Sequence, residues 1–294
     1  MANTIAKFKK YIDLLDEVYK EASLTSMLDG DSTLTAAGAN ANELIIPKLS
    51  MDGLANYDRN GGYVDGSVTL TNETVTFNYD RGRAFSVDAM DDEETAGMAF
   101  GKLSSEFIRT RTVPEMDAFR FATYASFPSV TKKEETFKTG DAVIAALRTA
   151  TSVMDDSEVP YEGRCLFITP SAYGLVMDLD ETKSKAVLNR FEQVVLVPQS
   201  RFYTKIDLLD GKSSSQTAGG FQKNSGAGAI NFMVIHRDAV IQYPKHTVNK
   251  VIRPEENQKA DAWRFFFRAY GLASVYENKA KGIYVSTAPH GAAA

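Results

Sequence analysis

Apolar and polar residues alternate along residues 67–87, which is the pattern of a strand with one apolar and one polar face. Val75, Phe77 and Tyr79 are the apolar members of the second half of this stretch. Gly, Asn and Asp crowd the preceding residues 52–66, a composition typical of a flexible tip. Because an isolated two-stranded ribbon is only marginally stable in water, the apolar face of this predicted β-ribbon needs a surface on which to pack.

The residues before the ribbon predict a helix, a linker and a strand. Apolar residues spaced by three and four predict an amphipathic helix over residues 4–28, which packs either on its own domain or on another subunit. Residues 29–42 have the composition of a linker. Residues 43–49 predict a strand, and Pro47 within it restricts that strand to the edge of a sheet or to an arm.

A helical period replaces the alternation over residues 91–124. Leu103 and Phe107 share one apolar face of this helix, and we expect both to be core residues beneath the strand that contains Phe265. Pro114 interrupts the helical pattern, so it either kinks one long helix or begins a second helix.

Residues 131–246 predict a mixed α/β region. A helix over residues 141–155 precedes a buried strand at 165–168, after which Thr169 and Pro170 supply an N-cap and a first-turn proline for another helix. Further strands are predicted at residues 193–197, 202–208 and 230–235, and a mobile loop rich in Gly and Ser is predicted at residues 210–228.

The C-terminal residues 247–288 alternate again and predict strands. One of these strands divides its side chains between two faces, with Trp263, Phe265 and Phe267 on the first and Arg264, Phe266 and Arg268 on the second. Taken with the helices and strands before it, this stretch predicts an α+β fold.

The composition is that of a globular protein, and it gives no indication of a basic surface that would bind nucleic acid. The 294 residues are 44% hydrophobic and 24% charged, and the formal net charge is −5. Long basic stretches are absent, so tight nonspecific binding to nucleic acid has no electrostatic source. Cys165 lies in an apolar run, which favours a buried thiol over a nucleophile. The apolar runs are shorter than a membrane span and no signal peptide is evident, so we expect synthesis in a cytoplasm and no membrane contact.

Motifs for catalysis and ligand binding are weak throughout the chain. Residues 211–213 are Gly-Lys-Ser, but Ile206 stands where a phosphate-binding loop needs a glycine. His236, His246 and His290 have no ligand-like partner at helical spacing. We therefore predict no catalytic residue, no metal and no cofactor, while a cytoplasmic hydrolase with an unrecognised triad stays open as an alternative of another class.

Several segments resemble, in order, those of one protein family. The extended loop of tailed-bacteriophage major capsid proteins with the Hong Kong 97 type fold is similar to IIPKLSMDGLANYDRNGGYVDGSVTLTNETVTFNYDRGRAFSVDAMDDEET. The spine helix of these proteins is similar to FGKLSSEFIRTRTVPEMDAFRFATYA. Later segments follow in the same order, so that the resemblance covers roughly residues 43 to 286.

The resemblance implies a fold of five parts. They are an N-terminal arm with a helix at residues 1–42, an extended β-ribbon loop at 43–87, a peripheral domain with the spine helix at 88–130 and 247–288, a mixed α/β axial domain at 131–246 and a flexible tail at 289–294.

The same resemblance implies a structural rather than an enzymatic role. The implied protein assembles with itself into hexamers and pentamers, in the cytoplasm of a bacterial host, and forms the icosahedral shell of a virion around double-stranded DNA without sequence-specific binding. Only about forty residues precede the resembling core, so a separate scaffolding protein is expected, together with a portal protein. An encapsulin-like bacterial nanocompartment is the alternative that keeps the fold.

The ribbon is the expected contact between subunits. We expect the face formed by Val75, Phe77 and Tyr79 to be buried on a neighbouring subunit, because the ribbon alone offers it no partner. Arg81 and Arg83 lie at the base of the ribbon, where charged contacts are expected to fix its orientation.

Overall fold

The computed structural model describes residues 23–30, 43–94, 104–179 and 186–289. Leu103, most of the predicted N-terminal helix and linker, and most of the C-terminal tail lie outside these residues. Ser26–Leu28 form a 3-10 turn rather than the end of an α-helix, which corrects the predicted helix boundary. No helix in the described ranges is long and apolar enough to cross a membrane.

The described residues form a mixed α+β fold. The strands are β1 (Glu43–Met51), β2 (Val68–Thr76), β3 (Tyr79–Asp88), β4 (Thr131–Glu134), β5 (Arg164–Ile168), β6 (Gln193–Leu196), β7 (Ile206–Leu208), β8 (Phe221–Lys223), β9 (Ile230–His236), β10 (Val240–Ile252), β11 (Ala262–Val275) and β12 (Ile283–Thr287). The α-helices are α1 (Ala89–Glu94), α2 (Val113–Ser126), α3 (Gly140–Asp156) and α4 (Pro170–Met177).

Two larger sheets organise these strands. Three strands form the first sheet in the order β10-β11-β3, and five form the second in the order β4-β12-β9-β5-β6. The remaining strands form two antiparallel pairs, β1 with β2 and β7 with β8.

The sheet order shows how two of the predicted strand segments pair. The predicted ribbon at residues 67–87 is split, because β3 leaves the ribbon and pairs with β11. Phe85 and Val87 of β3 pack there on the side of the sheet that faces the long helix, against the same buried cluster as Phe265. Strand β12 was expected in the peripheral domain, yet it lies between β4 and β9 in the five-stranded sheet, where all five of its residues are buried.

Pro114 is accommodated inside a continuous helix by a wider turn. Residues 104–107 are helical, Ile108–Thr112 form a π-helical turn, and α2 follows directly. The N–H of Val113 donates to the carbonyl of Ile108, five residues earlier. A proline ring clashes with the carbonyl four residues before it in a regular α-helix, and the π turn relieves that conflict.

The long helix connects the two larger sheets. In the first described turn of this helix, the ring of Phe107 lies 4.8 Å from that of Phe85 and 5.9 Å from that of Phe267 in the three-stranded sheet. Near its end, Phe121 contacts Phe167 of the five-stranded sheet at 5.1 Å between ring centroids. The predicted packing of Phe107 beneath β11 is therefore confirmed, although its side chain is only partly buried.

The opposite face of the five-stranded sheet is covered by α3 and α4. The predicted apolar stripe of α3 is fully buried there and consists of Val143, Leu147, Ala150 and Met154. Thr169 caps α4 as predicted, because its hydroxyl accepts a hydrogen bond from the N–H of Ala172. The prediction for residues 202–208 was too long, since only Ile206–Leu208 form a strand.

Replacement of Phe107 by Ala tests the contact between the helix and the three-stranded sheet. The loss of its ring contacts should lower the free energy of unfolding by about 3 kcal/mol, the lower end of the range for buried aromatic residues. The exposed Met90 provides the control, and Met90→Ala should change the same quantity by less than about 0.5 kcal/mol. Denaturant titration of both variants measures the difference, and equal effects would contradict the packing described.

Candidate assembly surface on the β-ribbon

Strands β1 and β2 form an antiparallel ribbon with an exposed connection. Residues 52–67 join the strands and are exposed along nearly their whole length. Directly paired residues of antiparallel strands lie on the same face of the ribbon. Leu49 lies opposite Leu70, and Met51 lies opposite Val68, so the register assembles apolar side chains from both strands on one face.

This face, here called the outer face, is apolar and open to solvent. Its large apolar side chains are exposed by 45 to 68%, and they are Ile45, Leu49, Met51, Val68 and Leu70. Nothing in the described part of the chain covers them. An exposed row of large apolar side chains on a projecting ribbon is typical of a surface that binds protein.

The opposite face, here called the inner face, packs on the same chain. Leu44, Ile46 and Val75 are its apolar members. They contact a buried cluster of β10 and β11 formed by Ile241, Tyr243 and Leu272. The base of the ribbon is thus fixed on its own subunit, and this contact turns the outer face away from the body.

The structure places the predicted apolar contact residues against their own chain. Phe77 stacks on Tyr270 with 5.2 Å between ring centroids, and the ammonium group of Lys245 lies 4.6 Å above the ring of Phe77. Tyr79 is only 5% exposed and packs beside Phe119. The premise that the face of Val75, Phe77 and Tyr79 has no partner within the chain was therefore wrong, because β10 and β11 supply one.

Lys48 adds a charged contact between the ribbon and the body. Its ammonium group lies 2.9 Å from Oε2 of Glu73 on the paired strand and also contacts the carboxylate of Glu277, which follows β11. The hydrogen bond to Glu277, followed by that to Glu73, raises the pKa of Lys48. The lysine therefore stays charged and bridges the inner face to the subunit body.

Arg81 connects β3 to two other elements. Its Nε donates to Oε1 of Glu115 in α2 at 2.7 Å. Its two terminal nitrogens donate to the carbonyls of Leu209 at 2.8 Å and Gly220 at 3.1 Å. One guanidinium group thus joins the strand after the ribbon to the long helix and to both ends of the loop between β7 and β8.

Arg83 holds the same loop at a second point. Its Nη2 donates to the carbonyl of Thr217 at 3.1 Å. Gly211 and Gly219 adopt positive φ values of 69° and 64° beside this guanidinium, and a Cβ atom at Gly211 would lie 2.9 Å from its Nη1. The composition of residues 210–228 predicted a mobile loop, but β8 and the two arginines give this segment defined contacts.

The Gly-Lys-Ser motif forms a turn instead of a phosphate-binding loop. The carboxylate of Asp210 accepts hydrogen bonds from the N–H groups of Lys212 and Ser213 and from the hydroxyl of Ser213. The hydroxyl bond, followed by the two backbone bonds, lowers the pKa of Asp210 to about 2. Two backbone N–H groups and the serine hydroxyl of the motif are therefore bound to Asp210 within this turn.

Cys165 and His236 are the remaining candidate groups with described contacts. Cys165 is buried in β5, and burial raises the pKa of its thiol. The Nδ1 atom of His236 accepts a hydrogen bond from the N–H of Asp238, and His290 lies outside the described residues. Across the described ranges, no group of three His, Cys, Asp or Glu residues is arranged to hold a metal ion.

Val68 and Leu70 occupy even-numbered positions, whereas Val75 and Phe77 occupy odd-numbered positions. Side chains of a strand alternate between faces, so a change of parity moves the apolar side chains from one face to the other. This change of parity is visible in the sequence. It marks the position along the ribbon at which the apolar side chains stop packing on the subunit body and become exposed to solvent.

Comparison with known proteins rests on structure alone. No family model matches the chain, and no curated protein sequence matches it. The chain is similar to a solved structure from Mycobacterium phage Che8, with a TM-score of 0.61, 13% identity, and coverage of 88% of this chain and 89% of that one. It is similar to the capsid of Myoviridae phage XM1, with a TM-score of 0.56, 11% identity, and coverage of 91% and 92%.

A further match comes from an archaeal source. The virus-like particle from Pyrococcus furiosus has a TM-score of 0.56, 9% identity, and coverage of 95% of this chain and 98% of that one. These similarities extend over nearly the whole length of each chain. The chain therefore has the fold of tailed-phage capsid proteins.

Proposed function

We propose that this chain is the major capsid protein of a tailed bacteriophage, which assembles into hexamers and pentamers and forms the icosahedral shell around double-stranded DNA. The observation that supports this most is the outer face of the ribbon. It presents five exposed apolar side chains on a chain with a capsid fold. A neighbouring copy that covers this face would give the ribbon the packing surface that two strands alone lack.

The energetics favour a contact of this kind in a repeated lattice. Full burial of a large apolar side chain contributes about 1.5–3 kcal/mol. Every subunit of a closed shell would gain that contribution from the same face. The inner face and Lys48 support the proposal further, because they hold the base of the ribbon on its own body before any neighbour is bound.

This proposal revises the role of the predicted contact residues. Val75, Phe77 and Tyr79 act from within the subunit, where they seat the base of the ribbon. Arg81 and Arg83 orient it through the long helix and the loop between β7 and β8. The contact between subunits is assigned instead to the outer face and to the exposed tip at residues 52–67.

The proposed partners and location follow from the same role. The net charge of −5 suits a coat that encloses DNA without neutralising it. A separate scaffolding protein and a portal protein are proposed to act during assembly in the cytoplasm of a bacterial host, and the mature protein is proposed to reside in the virion. No catalytic activity is proposed.

A bacterial or archaeal nanocompartment is the second candidate. The observation behind this candidate is the similarity of 95% of this chain to a virus-like particle from Pyrococcus furiosus. The two candidates predict different contents for purified particles. Nuclease-resistant double-stranded DNA supports the phage capsid, whereas a co-purifying protein cargo without such DNA supports the nanocompartment. A chain that elutes from size-exclusion chromatography as a small oligomer, and never as capsomers or particles, would contradict both.

Two charges placed on the outer face test the proposed contact. Leu49→Asp combined with Leu70→Asp puts two carboxylates at paired positions of this face. Burial of unpaired charges is strongly unfavourable, so the variant should remain folded and soluble but form no closed shells. Ser50→Asp with Thr69→Asp is the matched control, because these residues are also paired and exposed but lie on the other side of the ribbon.

Electron microscopy and circular dichroism provide the readouts for both double variants. Shells from the control and none from the Leu49 and Leu70 variant, with unchanged circular dichroism, is the expected result. Normal shells from the Leu49 and Leu70 variant would contradict the assignment of the outer face to the lattice.

Replacement of Arg81 tests its proposed role in orienting the ribbon. Arg81→Met removes charge-assisted hydrogen bonds from a guanidinium that is partly buried, so the free energy of unfolding should fall by about 2 kcal/mol. Hydrogen exchange at residues 209–220 should become faster in the same variant. Arg268→Met is the control, since Arg268 binds Asp80 at the surface, where ion pairs contribute little. Equal effects of the two substitutions on stability and exchange would argue against the role of Arg81.

A further inference from the structure

Residues 23–30 lie as a short strap across the subunit, far in sequence from everything they contact. Thr25 is fully buried, and Leu28 is only 3% exposed within the core shared by the long helix and the five-stranded sheet. The strap contacts α2 and β10, and its neighbours in sequence on both sides lie outside the described residues.

Asp117 of α2 is the centre of the anchor. Its carboxylate is completely buried and accepts hydrogen bonds from the hydroxyls of Ser23 at 3.0 Å and Thr25 at 2.8 Å. It also accepts from the N–H of Leu24 at 3.1 Å, and Arg201 donates to it at 3.4 Å. Three of these four donors belong to the strap, so opening of the strap would break three hydrogen bonds to this carboxylate.

A second set of hydrogen bonds fixes the other end of the strap. Nε2 of Gln242 in β10 donates to the carbonyl of Thr25 at 2.7 Å and to Oδ1 of Asp29 at 2.6 Å. The carbonyl of Gln242 accepts from the N–H of Gly30 at 2.9 Å. Tyr124 donates to Oε1 of Gln242 at 2.7 Å, and burial raises the pKa of Tyr124, which keeps its phenol protonated as a donor.

Arg120 completes the anchor between its two ends. Its Nη1 donates to the hydroxyl of Thr25 at 2.7 Å, and its Nη2 lies 3.4 Å from Oδ1 of Asp29. The hydroxyl of Thr25 thus accepts from a guanidinium while it donates to the carboxylate of Asp117. Asp29 is exposed, but Thr25, Asp117, Arg120 and Gln242 are buried, and buried polar groups are costly to leave without hydrogen bonds.

We infer that residues 23–30 form a locked strap, with Asp117 and Gln242 as its positioning residues. The strap ties residues 23–30 to α2 through Asp117 and to β10 through Gln242. Because the strap and the residues that hold it belong to the same chain, we expect the strap to be closed already in the free subunit. This inference does not depend on the proposed function.

Hydrogen exchange of the intact chain tests the lock at Asp117. Asp117→Asn keeps the size of the side chain but removes its charge. Each charge-assisted hydrogen bond contributes about 1.5–3 kcal/mol, which corresponds to a change in exchange of roughly 10- to 100-fold. The amides of Leu24 and Gly30 should exchange faster by at least 10-fold in the variant, while the amides of α3 stay protected.

Two further variants keep the result interpretable. Thr25→Val removes the hydroxyl shared by Asp117 and Arg120, tests the same lock without a change of charge, and should accelerate the same amides. Asp141→Asn changes an exposed carboxylate at the start of α3 and should leave the strap unaffected. If Asp117→Asn fails to fold, Thr25→Val decides the outcome. Unchanged protection of the Leu24 and Gly30 amides in a folded Asp117→Asn or Thr25→Val protein would overturn the lock.

Assembly provides the second arm of the test. The strap amides should exchange at the same rate in free subunits and in purified particles or capsomers. A strap that is unprotected in free subunits and protected only after assembly would overturn the inference, because its partners would then belong to another subunit. Failure to form particles would bear on the proposed function, and the measurement on free subunits would still decide the lock.

Discussion

A two-stranded ribbon has two faces and too little apolar area to bury both of them by itself. In this chain the inner face is buried on β10 and β11, and the outer face is left to solvent. The rest of the fold supports that division. Lys48 bridges the inner face to the body, and β3 continues from the ribbon into the three-stranded sheet. The outer face would be buried only if a neighbouring subunit packed on it.

The long helix connects this ribbon to the remainder of the molecule. It passes through Pro114 without a break because a π turn relieves the conflict with the preceding carbonyl, and it then packs on the five-stranded sheet. Glu115 binds Arg81 and, two residues later, Asp117 binds the strap. One turn of α2 therefore positions both β3, which follows the ribbon, and the strap, which precedes it in sequence.

Local patterns predicted elements well where one element buries one face. The stripe of α3, the cap at Thr169 and the apolar face of β11 all followed from spacing and are confirmed. Contacts between distant segments were not predictable in this way. The carboxylate partner of Arg81 lies 34 residues away, and the carbonyl that binds Arg83 lies 134 residues away, so only the folded chain brings these groups together. The outer face left a signal in the change of parity along β2, but the side of the ribbon that meets the body depends on β10.

Oxidation of Met51 in free subunits and in assembled particles tests the central claim most directly. Met51 lies on the outer face and is 64% exposed, whereas Met154 in α3 is fully buried and serves as the internal reference. Burial of the outer face by a neighbouring subunit predicts that assembly slows the oxidation of Met51 to methionine sulfoxide by at least about tenfold, the change expected from about 1.4 kcal/mol of protection, with Met154 slow in both states. Equal rates for Met51 in the two states would contradict an outer face that forms the contact between subunits.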